Sequence, residues 1–121
     1  MSDKNTRQIG RMLEEYILSK VKEIDPTARL TRGSGQGNEF SDISSHFCYV
    51  ECKKRNTKDF NIKEEVWRHL NFGLPLNTTK FCMMAHENEN KLRLITLDCE
   101  TFFDILKKAK AWEVENGAGE L

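Results

Sequence analysis

Asp42, Glu51 and Lys53 are the residues of this chain whose types and spacing could do chemistry. Glu51 follows Asp42 by nine positions and Lys53 follows Glu51 by two. Side chains two apart on a strand point the same way, so Glu51 and Lys53 would share one face. If the strand before them pairs back through a turn at Ser45-His46, Asp42 comes near Glu51. Two carboxylates converging on one point repel each other unless a cation lies between them. Oxygen-only ligands suit a hard ion, magnesium first and manganese as its substitute. Such an ion activates a water and stabilises charge on a phosphoryl oxygen. A neighbouring lysine positions that water or holds the developing negative charge.

The same spacing also arises from alternating charges on a solvated strand, so further features have to carry the reading. Glu51 and Lys53 adjoin a strongly apolar strand interior, which places them at a sheet end. The segment Gly33-Ser34-Gly35-Gln36-Gly37-Asn38 precedes Asp42, and glycine lets a backbone approach a phosphate closely. Glu14, near the middle of the first helical stretch, could reach the site from the side. Glu15 stands beside it, and a helix turns about 100° per residue, so only one of the two can face the site.

Positioning these groups requires a framework. A helix is predicted from about Thr6 to Ile24, where Ile9, Met12, Leu13, Tyr16, Ile17 and Val21 recur at helical steps. Asp25-Pro26 ends it. A short strand is expected near Ala28–Thr31, then strands over Phe40–Ser44 and Phe47–Lys53. Asn61 and Glu64 have the spacing of a capping pair for a second helix running to Phe72, with Ile62, Val66 and Leu70 on its buried face and Gly73 and Pro75 as a stop. Trp67 flanks that face, although it and Arg68 could instead meet DNA or a second subunit. Lys80–Ala85 and Leu92–Leu97 read as strands joined by a polar turn over His86–Lys91. Phe81, Met83 and the second of these strands are expected to form core or an apolar dimer seam. Asp98 reads as the N-cap of a last helix with Phe102, Phe103, Ile105 and Leu106 packed inward. From about residue 113 an acidic tail is expected to fray. The order is helix, three strands, helix, two strands, helix. That makes one α/β (α+β) domain over residues 1–121, with a mixed five-stranded sheet flanked by helices.

Composition sets limits on function. The 121 residues suffice for one core, and 38% hydrophobic with 31% charged residues is the balance of a globular domain. No apolar stretch is long enough to cross a bilayer and the first residues are polar, so a cytoplasmic protein is expected, in an infected host's cytoplasm if viral. The four cysteines include no C-x-x-C pair, and they read as buried thiols rather than a zinc or redox motif. Nineteen basic residues balance nineteen acidic ones, so any nucleic-acid contact must come from a local patch. Lys53, Lys54, Arg55 and Lys58 form one such run, and Arg29 and Arg32 another. The glycine segment lacks the G-K-[ST] ending of a nucleotide-binding loop, so no nucleotide cofactor is expected. His46, His69 and His86 are scattered, and Ser34 has no triad-like base.

Taken in order, Gly10-Arg11-Met12-Leu13-Glu14, Gly33-Ser34-Gly35, Ser41-Asp42-Ile43 and Val50-Glu51-Cys52-Lys53-Lys54-Arg55 resemble the motifs of the PD-(D/E)XK nuclease superfamily. Within it the chain is most similar to archaeal-type Holliday junction resolvases, over about Arg7 to Lys107. Ser41 stands where that family often has proline. The resemblance implies a restriction-endonuclease-like fold and a magnesium-dependent endonuclease. Asp42, Glu51 and the Cys52 backbone carbonyl would bind the metal, and Lys53 would orient the attacking water. Its spacing from Gly10 favours Glu14 as the supporting acid. Ser34 and Gly35 would lie near the scissile phosphate, with Arg32, Lys54, Arg55 and Lys58 holding backbone phosphates. It also implies a homodimer cutting opposed strands of a four-way DNA junction. A restriction-like or nicking enzyme, or a non-catalytic nucleic-acid-binding module, are the other expectations for such a fold.

Overall fold

The computed structural model describes residues 3–31 and 41–117, with the side chains of 3–11 excepted. Among these residues the chain forms α1 (Asp3–Lys22), β1 (Arg29–Leu30), β2 (Ile43–Ser44), β3 (Cys48–Lys54), α2 (Glu64–Phe72), β4 (Phe81–Glu87), β5 (Arg93–Thr96) and α3 (Cys99–Glu115). The five strands make one sheet in the order β1-β2-β3-β4-β5. Neighbours are antiparallel except β3 and β4, which run parallel with α2 as the connection between them. The protein is a small α+β domain with a mixed sheet.

Alternation along β3 divides the core. Cys48 and Val50 face α1 and pack with Leu13, Ile17, Val21 and Ile43. Tyr49 faces α2 and packs against the cluster of Leu70, Cys82 and Met84, flanked by Val66 and Trp67. By the same alternation, Glu51 and Lys53 continue the Tyr49 face beyond its apolar part.

Asp25 ties the end of α1 to the β2–β3 turn. Its carboxylate accepts from the Thr27 hydroxyl at 2.6 Å and the His46 backbone N–H at 2.7 Å, and these bonds hold its pKa down to about 2. Ser45 shapes the turn itself, its hydroxyl accepting from the Cys48 N–H at 2.9 Å. The hairpin therefore pairs Ile43 with Val50 and Ser44 with Tyr49.

Four expectations are corrected. Asn61 does not cap α2; the N-cap position is Lys63, which makes no side-chain cap bond, and Ile62 lies exposed before the helix. β4 continues through His86 and Glu87, so the turn begins only at Asn88. The parallel register pairs Lys53 with His86 and Lys54 with Glu87, which extends the strand past its apolar part. α3 does not pack inward, since none of its residues is buried and Phe102, Phe103, Ile105 and Leu106 are all exposed. The helix also runs on to Glu115, where the Asn116 side chain donates to the Trp112 carbonyl at 2.7 Å, so the expected tail is helical at its start. Phe40, the glycine segment and residues 118–121 lie outside the described residues.

Candidate functional site

The hairpin register of Ile43 with Val50 and Ser44 with Tyr49 brings Asp42, just before β2, alongside β3. The Asp42 N–H donates to the Val50 carbonyl at 2.9 Å, and its own carbonyl accepts from the Thr31 N–H at 2.9 Å. Its side chain then turns across the end of β2 and accepts from the Cys52 N–H at 2.8 Å. This bond replaces the strand pairing that β2 no longer provides, and it fixes the carboxyl beside β3. A residue's N–H and C=O leave a strand on the same side, so the Cys52 carbonyl also projects toward Asp42.

Glu51 lies near the Asp42 carboxyl, whose charge acts on it. Burial and then the Asp42 charge push its pKa up to about 7, against an opposing pull from Lys53. The Lys53 ammonium sits 3.5 Å from Glu51 Oε2. Asp42, Glu51 and Lys53 thus converge at the open end of the β2–β3 hairpin. Glu14 is half-buried on α1 and approaches from the opposite face. The Cys52 thiol is pushed far up, by burial first and then by Asp42, Glu14 and Glu51, which places all three acids around that residue. Glu15 is exposed, so of the two neighbouring acids it is Glu14 that turns toward the site.

Two neighbouring carboxyls with a backbone carbonyl on the same side are a donor set that fits a hard divalent cation. Among the described residues no group of three or more His, Cys, Asp and Glu side chains converges to hold a metal. Any ion here would therefore rest on Asp42, Glu51, the Cys52 carbonyl and water.

The basic run of residues 53 to 58 is divided by strand geometry. Lys54 turns to the α1 face, donating to Glu87 Oε1 at 2.9 Å and to the Asn88 carbonyl at 3.0 Å. Glu87 is buried and also takes Arg93 at 2.6 Å, which holds its carboxyl below the usual range against the cost of burial. Lys54, expected to meet phosphate, is thus held in an ion pair with Glu87. Arg55 shares the Lys53 face, and its Nε is buried without a hydrogen-bond partner among the described residues. Lys58 is exposed. Arg32, Ser34 and Gly35 lie outside the described residues.

Sequence reasoning missed His86. It is buried beside Lys53, its Nε2 lies 3.0 Å from the Thr96 hydroxyl, and Phe60 meets its ring edge-on. Burial, then Arg55 and Lys53, lower its pKa. The even spacing of Cys82, Met84 and His86 was the available signal, and it places all three on one face of β4.

Compared with family models, characterised proteins and solved structures, the chain matches none. Among the described residues no helix is long and apolar enough to cross a membrane.

Proposed function

We propose that this protein is a magnesium-dependent DNA endonuclease with a restriction-endonuclease-like fold, acting on branched DNA as a pair of subunits. The observation that carries the reading is the Asp42 carboxylate fixed on the Cys52 N–H at 2.8 Å beside Glu51, with Lys53 3.5 Å from Glu51. Such a pair lowers its own repulsion by taking a proton or a cation, and a sheet end leaves room for substrate. Asp42, Glu51 and the Cys52 carbonyl would hold the ion. When bound, it supplies a more acidic water and a positive charge beside the phosphoryl oxygens. Lys53 donates toward the attacking water or the developing charge. The Arg55 guanidinium, on the Lys53 face, would hold a backbone phosphate oxygen, a contact that positions DNA without reading its sequence. The opposed-strand cutting and the preference for a junction rest on the motif resemblance.

The test is cleavage of a four-way junction, a matched duplex and a single strand, each with magnesium and with chelator. Asp42→Asn is expected to fall to the chelator background while still binding DNA. Symmetric cuts confined to the junction support the full reading. Cutting of all three substrates keeps the nuclease and discards the junction. Full activity in Asp42→Asn overturns the site, and no cutting by folded protein with any divalent ion makes it a binding module.

A further inference from the structure

Helix α3 leaves an apolar stripe uncovered. Phe102, Ile105, Leu106 and Trp112 share one face of the helix and are each at least 37% exposed, and no residue of the helix is buried. Beside it lies an apolar groove of about 540 Å³ between α1 and the β4–β5 edge. Phe47 and Met83 line it with Ile24, Leu94 and Ile95, and α3 itself contributes Ile105. Tyr16, Ile24, Leu94 and Ile95 are likewise 39–72% exposed. A folded domain rarely leaves so much contiguous apolar surface without a partner.

We infer that the groove receives α3 of a second copy of this chain, in a twofold exchange in which each protomer gives a helix and accepts one. The argument is reciprocity and area. One chain carries both a ridge and a trough, and a twofold axis lets each copy satisfy both at once. A full aromatic side chain offers roughly 150–250 Å², so these eight partly exposed residues present on the order of 800 Å² per copy, the scale of a stable dimer face. Ile105 belongs to both surfaces, so the two α3 helices would pack alongside each other where each enters its partner's groove. The contact deepens the paired-subunit part of the nuclease reading, and it is tested without DNA or metal, so its failure leaves the catalytic site untouched.

The experiment is sedimentation equilibrium on the full chain and on two surface variants, Leu106→Glu on α3 and Ile95→Lys in the groove. Both positions are exposed, and circular dichroism checks that each variant folds. The wild type is expected to be a dimer, and each variant is expected to weaken it roughly 100-fold. Mixing the variants where each alone is monomeric is expected to restore a one-to-one pair. That pair has one unaltered helix–groove contact and one in which Glu faces Lys. A wild type that stays monomeric up to about 100 µM overturns the proposal, and so does α3 closing over its own groove. A dimer indifferent to both variants, or a mixture that does not pair, overturns the helix-in-groove contact as well.

Discussion

A carboxyl that is buried against a second carboxyl holds its proton, and Glu51 does so up to about pH 7 where its ordinary value is 4.5. Between those values the folded state binds more proton than the unfolded chain. The stabilisation is therefore fully present below about pH 4.5 and is lost as pH rises through 7. At about 1.4 kcal/mol for each tenfold change in proton affinity, the shift bounds the loss at about 3.5 kcal/mol, which solvent screening lowers. His86 runs the other way, because a lowered histidine gains stability as pH rises toward its ordinary value of 6.5. The comparison that isolates Glu51 is thus wild type against Glu51→Gln, by denaturant midpoint at pH 5.5 and pH 8. Glu51→Gln should be the more stable of the two at pH 8, with the gap closing at pH 5.5. Magnesium should raise the wild-type midpoint more at pH 8, where the pair is ionised and open to a cation. A gap that does not change with pH would falsify the proximity of the two carboxyls. These site residues are legible in the sequence because both facts that join them are local. Alternation puts Glu51 and Lys53 on one face, and a turn of Ser45–Cys48 returns Asp42 to them. Lys54 is not legible as an ion-paired residue, since its partner Glu87 lies 33 positions away across a parallel strand pair.

At the level of elements, caps and strand alternation can be read and packing cannot. Asp98 is legible as an N-cap, and its carboxylate accepts from the Thr101 N–H at 3.0 Å. Burial works against that charge, but the bonds from Thr101 hold it below the ordinary range. The apolar stripe of α3 is also legible, but the surface it faces is not. A period of 3.6 says that a helix has an apolar side, not whether its own chain covers it. The sequence pattern cuts β4 short at Ala85 for the opposite reason. His86 and Glu87 look like turn residues until the parallel register supplies Thr96, Lys54 and Arg93 as partners. Because α3 buries nothing within one copy, its end depends heavily on the cap. Asp98→Ala should cost about 1 kcal/mol, felt as fraying of the first turn. Hydrogen exchange should quicken at residues 101–104 while amides of β3 and β4 keep their protection. Equal loss of protection in the sheet would mean that α3 is packed on the core after all.

For the whole molecule, the proposed function turns on the number of cations left for DNA after internal pairing. Nineteen basic residues cancel nineteen acidic ones. Lys54 and Arg93 share the buried Glu87, Lys53 sits by Glu51, and Arg68 pairs with Glu64 on α2. This leaves Arg55, on the Lys53 face, and the exposed Lys58 as the clearest phosphate ligands. Counterion release makes log affinity fall with log salt by about 0.9 per phosphate neutralised. A copy that engages two to four phosphates should therefore give a slope of roughly −2 to −4, shallow for a DNA-binding protein. Lys58→Ala and Arg55→Ala should each flatten it by about 0.9, whereas Lys54→Ala should leave it unchanged. The destabilisation that Lys54→Ala causes is a separate matter, because it strips one cation from buried Glu87 and shows in the denaturant midpoint. Binding titrations from 50 to 200 mM salt, with chelator present to prevent cutting, separate the two effects. If Lys54→Ala flattened the slope as much as Lys58→Ala, Lys54 would have to leave Glu87 for the DNA. The strand would then open at its far end on binding, and the division of the basic run by strand alternation would hold only for the free protein.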